Sequence, residues 1–243
     1  MIDRAHGGAA TAAVPRLSGH AGCTDLSHLF RGQLCEQLAG GPGRHVPAGK
    51  LLYTMGQPAE SVYLVRRGLI KTSLVSPGGQ ELTLRLYPAG DILGELCLCT
   101  GERREQAMAL ESSEVVEIPL AAVLRSVRQD PQAALELASV VCDHLADAHE
   151  GLRSLSFDPV TERLARVLLV LADRLGEPGT DGRRIAHHIT QEELARMIGA
   201  RREVVSGLLN RLRTDGLISY TRRGFIEVDR EALEAYADSI VEK

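Results

Sequence analysis

Arg201, Arg202, Glu203 and Ser206 stand within two turns of a stretch whose apolar residues, Val205, Leu208, Leu209 and Leu212, share one helical face. The polar residues therefore point the other way. An arginine bonds guanine O6 and N7 together, and a carboxylate accepts from cytosine N4, so an outward Arg202 and Glu203 suit the reading of a G·C step, with Ser206 assisting. Gln191, Arg201 and Arg211 are of the types that hold backbone phosphates. Any surface helix also carries a charged outer face, so the surrounding elements must decide between the two readings.

Those elements favour recognition of duplex DNA. The stretch from Ile189 to Leu212 reads as two short amphipathic helices joined at Gly199, the pattern of a helix-turn-helix. Thr190 and Glu193 form a capping-box signature, in which the hydroxyl takes the Glu193 amide and the carboxylate returns to the Thr190 amide. Leu194, Met197 and Ile198 lie on one face of the first helix. Beyond the second helix, the run from Gly216 to Val228 predicts two short strands around Arg222-Arg223-Gly224, a β-hairpin wing. From Arg183 to Ile226 nine arginines stand against four acids, whereas the whole chain carries 28 basic and 32 acidic residues, net −4. The basic charge is local, as a phosphate-contacting face requires.

The 243 residues suffice for two modest domains, and 44% hydrophobic content with only 3% aromatic and no tryptophan implies aliphatic cores. Five cysteines at irregular spacing, Cys23, Cys35, Cys97, Cys99 and Cys142, with no secretory signal ahead of them, predict reduced cytoplasmic thiols. No apolar run approaches the roughly 18 to 20 residues of a membrane span. No nucleophile–base pair, paired carboxylates, phosphate loop or metal constellation has a diagnostic spacing, so neither an enzyme nor a metal site is expected.

Between His45 and Leu120 glycines recur at positions 49, 56, 68, 78, 79, 90, 94 and 101, separating strand-like segments. Leu82, Leu84 and Leu86 alternate with Thr83, Arg85 and Tyr87. Short strands with regular turns imply a small antiparallel barrel or jelly roll. Next, Ala134, Ala138, Val141, Leu145, Ala148, Leu152 and Leu155 recur at alternating steps of four and three, the seam of a coiled coil that starts at Asp130-Pro131. A monomer has little use for such a seam, although a stripe can also pack on its own roll. Phe157-Asp158-Pro159 reads as a hinge, residues 160–175 as an amphipathic helix, and residues 176–182 as a loop.

Gly49-Lys-Leu-Leu-Tyr-Thr-Met-Gly56, the run from Val62 to Lys71, Pro88-Ala-Gly-Asp91 and Gly94-Glu95-Leu96 resemble the cyclic-nucleotide-binding β-roll. With the helix-turn-helix behind them, the chain is identified as resembling the CRP/FNR (catabolite activator and fumarate-nitrate regulator) family of bacterial transcription factors, from about Leu26 to Val228. The resemblance implies an α+β chain: a flexible leader (1–25), an effector-sensing β-roll (26–128), a dimerisation helix (129–157) and a winged helix-turn-helix (158–243). It implies a homodimer on an inverted-repeat operator, with recognition helices about 34 to 36 Å apart, and RNA polymerase as a further partner. Whether such a protein activates or represses depends on the operator's position. A signalling adaptor with the same roll and no DNA-binding role is the alternative.

Relatives that bind cyclic AMP follow Gly-Glu-Leu with an Arg-Ser pair that grips the cyclic phosphate. Counted without gaps, those places here hold Glu105 and Gln106, and Ala148-His149 stands where the adenine-contacting Thr-Ser pair falls. Cyclic AMP is therefore not the expected effector. The candidate pocket comprises Gly94, Glu95, Leu96, Arg103, Arg104 and His149, and an odd shift of either arginine would turn its side chain to the other face of a strand. An iron-sulfur cluster is not expected, because Cys23 and Cys35 lie far apart and Val116 replaces the cysteine of the roll. Strand alternation would put Cys97 and Cys99 on one face near Cys142 and His149, where a thiol, haem or metal sensor is conceivable; filling of an aliphatic core is the reading favoured for these cysteines.

Overall fold

The structure, a computed structural model, describes residues 41–180 and 182–241, with the side chains of residues 99, 131–140, 143 and 241 excepted. Cys23, Cys35 and the expected leader lie outside the described residues. Two four-stranded antiparallel sheets form the roll. One runs in the order β1 (Gly43–Val46), β8 (Ser113–Pro119), β3 (Ser61–Arg67), β6 (Ile92–Leu93), and the other β2 (Leu51–Tyr53), β7 (Gln106–Ala109), β4 (Leu69–Val75), β5 (Glu81–Pro88). Val65, Ile70, Leu93, Ala107 and Val115, drawn from both sheets, meet in one interior core.

The alternation expected along residues 82–87 is interrupted. Thr72 pairs with Arg85 but Ser73 pairs with Thr83, so Leu84 is an extra residue in β5 and stands exposed. Such a bulge adds a residue to one strand and re-aims its side chains. Cys97 and Cys99 likewise do not lie on a strand: Cys97–Thr100 is a single helical turn, α1, closed by Gly101 in the left-handed region. The one-face argument for the two thiols therefore fails. Cys97 is buried among Ala59, Val62, Ile92, Val116, Ile118 and Val123, whereas Cys142 is exposed.

After α2 (Leu120–Gln129), the long helix α3 (Pro131–Phe157) opens on its proline as the sequence predicts and ends before Asp158-Pro159. Arg153 closes that end with a fork of hydrogen bonds to Glu150 and Asp158. Helix α4 (Val160–Leu175) follows the hinge and buries Leu164, Ala165, Leu168, Leu171 and Ala172. The segment expected to be a loop contains β9 (Gly176–Pro178), which pairs with β10 (Arg183–Ile185). Pro178 is tolerated because β9 is an edge strand, where a missing amide breaks no ladder.

Helices α5 (Gln191–Met197) and α6 (Arg202–Thr214), the hairpin β11 (Ile218–Tyr220) and β12 (Ile226–Val228), and α7 (Arg230–Val241) complete the described residues. Helix-turn-helix and wing thus stand where the sequence puts them. Among the described residues no helix is long and apolar enough to cross a membrane.

Candidate nucleic-acid interface and roll interior

Thr190 caps α5 by accepting the Glu193 amide at 3.1 Å. Gly199, at φ +60°, supplies the left-handed turn into α6, which begins with Arg201 in extended backbone. Val205, Leu209 and Leu212 are buried and Leu208 partly so, which turns Arg201, Arg202 and Glu203 to solvent and leaves Ser206 half-buried. Gln191 and Arg202 line one cleft of about 510 Å³ together with Thr190, Tyr220 and Gly224 of the wing. Arg211 lies farther along α6, 3.8 Å from Asp215.

Not all nine arginines of this region reach solvent for a ligand. Arg183 bonds the carbonyls of Ala172 and Gly176, Arg184 pairs with Glu177, and Arg196 pairs with Glu81 and Glu192. The remaining six, Arg201, Arg202, Arg211, Arg213, Arg222 and Arg223, are all exposed. The wing tip that carries two of them is held by Thr221, whose amide donates to the Phe225 carbonyl and whose hydroxyl takes the Phe225 amide. His188 packs edge-on against Phe225.

The roll interior holds a second polar cluster. Arg103 is buried, with Nη2 donating to the Ser61 carbonyl at 2.6 Å and Nη1 to the Gly94 carbonyl at 3.2 Å. Its guanidinium lies over the rings of Tyr53 and Tyr63, 4.2 and 5.2 Å from their centroids. Gly94 is required here, since a β-carbon would collide with the Arg103 guanidinium. Arg104 is exposed and Glu105 buried, so the side chains alternate and the two arginines do not converge. Tyr53 donates to Glu105 at 3.3 Å. Burial, reinforced by the nearby Glu95 charge, pushes the Glu105 carboxyl up to about 7, and burial likewise holds the Tyr53 and Tyr87 phenols well above their usual range.

Glu95 is buried while Leu96 is half-exposed. The histidine that reaches the roll is His144, whose Nδ1 lies 2.8 Å from Glu95 Oε1, and not His149, which is exposed. Five residues turn a helix through about 500°, so His149 points some 140° away from its neighbour. Asp147, one turn after His144, pairs with Arg85, so these two residues mark the side of the helix that meets the roll; neither pairing is visible in the sequence. Val141, Leu145, Ala148 and Leu152 are exposed, Leu152 to 64%, whereas Leu155 is 37% exposed and lies against Gly199 of the helix-turn-helix. The side chains of Ala134, Ala138 and Cys99 lie outside the described residues.

The sequence model of the cyclic nucleotide-binding domain matches residues 43–130, and that of the Crp-like helix-turn-helix domain matches residues 162–236. The chain is 34% identical over 192 residues to the cyclic AMP receptor protein of Thermus thermophilus, covering 78% of this chain and 85% of the relative. It is 29% identical over 177 residues to the global nitrogen regulator of Synechocystis, covering 72% and 79%. The structure of FixK2 from Bradyrhizobium japonicum matches with a TM-score of 0.72 at 23% identity, over 80% of this chain and 96% of that one.

Proposed function

The chain belongs to the CRP/FNR family of DNA-binding transcription regulators, and on that premise we propose that it acts as a homodimer on an inverted-repeat operator, under the control of an effector other than cyclic AMP. The observation that carries this is the first turn of α6, where Arg201, Arg202 and Glu203 stand exposed beside a cleft shared with the wing. Arg202 and Glu203 read a G·C step, Ser206 assists, and Gln191, Arg201 and Arg211 hold phosphates. The helix-turn-helix match over residues 162–236 sets aside the adaptor alternative.

Dimerisation is assigned to the stripe of Val141, Leu145, Ala148, Leu152 and Leu155, continued by Ala134 and Ala138. The exposure of Val141, Leu145, Ala148 and Leu152 along α3, apart from the His144 and Asp147 contacts with the roll, supports a second copy as its cover.

Against cyclic AMP stands the roll interior. The one buried arginine of the candidate pocket already spends its fork on two carbonyls and two rings, and Glu105 places a carboxyl group where a phosphate grip is needed. RNA polymerase is proposed as the partner through which binding affects transcription. Selection from random duplexes followed by footprinting tests the main proposal: a palindromic protected site is expected, and absence of sequence preference from a dimeric preparation overturns it. Calorimetric titration with cyclic AMP tests the effector proposal, and micromolar binding refutes it.

A further inference from the structure

The Glu193 carboxylate does not complete the capping box. The Thr190 hydroxyl takes the Glu193 amide as expected, but the acid itself turns away from its own helix end and is spent on the roll. Its Oε2 accepts from Lys71 Nζ at 2.8 Å, and its Oε1 accepts from the Thr83 hydroxyl. Lys71 is fully buried and also meets Glu81 at 2.8 Å, while Arg196 reaches Glu81 at 3.2 Å and Glu193 at 3.6 Å. Lys71 and Arg196 thus join Glu81, Glu193 and, at 3.5 Å from Arg196, Glu192 in one compact ion-pair network, whose Lys71–Glu193 bond links residues 122 positions apart.

The strands bearing this network are covered on both faces, and successive side chains of a strand face opposite ways. Leu69 and Leu86 join the core beneath the helix-turn-helix, whereas Ile70 and Tyr87 belong to the roll interior. Lys71 continues the outward set. Gly199, at the turn between the two helices, sits on the same surface, where a β-carbon would come within 3.1 Å of Leu155 and 3.9 Å of Leu82. None of Arg201, Arg202, Glu203 or Arg211 takes part, and all four remain exposed.

We infer that Glu193 is a positioning residue that clasps the helix-turn-helix to the outer face of the β4–β5 hairpin, fixing the orientation in which α6 engages DNA. The inference rests on the DNA-binding proposal above. Because the contact buries no DNA-facing residue, it orients the recognition helix and does not mask it. A change inside the roll that displaces Ile70 or Tyr87 moves Lys71 on the same hairpin, so the clasp also offers a route from the interior to the helix-turn-helix.

The test uses the full-length protein and the duplex that the wild type selects. Glu193→Gln keeps the backbone cap and the side-chain shape but loses the charge. It is expected to lower specific affinity about tenfold, within the range of site-to-site coupling, while leaving dimerisation and affinity for an unrelated duplex unchanged. Glu193→Asp, which keeps the charge on a shorter side chain, is expected to recover part of the loss. Unchanged or tighter specific binding by Glu193→Gln overturns the clasp, the latter by making it a lock on the inactive form. Should the charge variants fail to fold, Thr83→Val decides, because it removes a single hydrogen bond: weaker specific binding supports the clasp, and unchanged binding overturns it. If the wild type selects no sequence, the DNA-binding proposal is what fails, and hydrogen exchange still judges the clasp. Joint loss of protection in β5 and α5 of Glu193→Gln supports it, and unchanged protection overturns it.

Discussion

His144 Nδ1 lies 2.8 Å from Glu95 Oε1, which ties the floor of the roll to the inward face of the long helix. The other oxygen, Oε2, is buried and makes no hydrogen bond among the described residues. Removing the imidazole therefore strands an entire buried carboxylate. His144→Ala is expected to destabilise the fold by about 1 to 3 kcal/mol, the cost of an unsatisfied buried polar group. Adding Glu95→Gln should return part of that, since an amide is cheaper to bury than an ionised acid. Urea midpoints of the three proteins measure it, and an unshifted midpoint for His144→Ala would remove the bridge from consideration.

Glu105 gives the roll a pH dependence of defined sign. Its carboxyl is raised from 4.5 to about 7, first by burial and then by Glu95. Between those values the folded protein retains a proton that the unfolded chain has released. Stability is therefore lost as pH rises through that window and is level above it. The loss is on the order of 3 kcal/mol by linkage. Glu105→Gln, which still accepts from Tyr53, should flatten this trend and be the more stable protein at pH 8. Urea unfolding at pH 5 and pH 8 reads the difference, and parallel pH profiles for the two proteins would contradict it.

The helix-turn-helix was legible because its signals are local: a hydroxyl cap at Thr190, a glycine at 199 and a 3.6-residue period on each side. The rod was legible for the same reason, since a heptad stripe needs no partner to be read. The clasp was not, because Lys71 and Glu193 are distant in sequence and a capping-box spelling accounts for the glutamate without the lysine. Leu84 and Cys99 show a second limit. Period-2 alternation looks the same whether or not a bulge interrupts it, and a one-turn helix between Gly94 and Gly101 is too short to show any period. Residues 176–178 mark a third: Gly and Pro spell a loop, yet an edge strand accepts both when its partner, here β10, supplies the ladder.

Leu145 and Leu152 are 55% and 64% exposed on one face of the long helix. If a second copy covers them, a charge at either place must be buried without a partner, which costs far more than the lost apolar contact. Leu145→Glu and Leu152→Glu are each expected to shift sedimentation from dimer to monomer and, through it, to abolish binding to a two-half-site operator. Retention of the dimer by both variants would move the interface elsewhere on the chain.

Arg202 and Arg201 are neighbours at the start of α6 but carry different assignments, and salt separates them. A bidentate contact to guanine discriminates between bases, so Arg202→Ala should cost about 1 to 3 kcal/mol at one base step and little on duplexes that already lack that base. A phosphate contact is blind to sequence, so Arg201→Ala should weaken every duplex alike and lower the slope of log affinity against log salt by about 1.8, roughly 0.9 for each of the two half-sites. Both are read from anisotropy titrations over a range of salt on the selected operator and a single-step mutant of it. Equal loss on both duplexes for Arg202→Ala would make it a phosphate contact and pass the reading of that base step to Glu203 or Ser206, polar side chains near the start of the same helix.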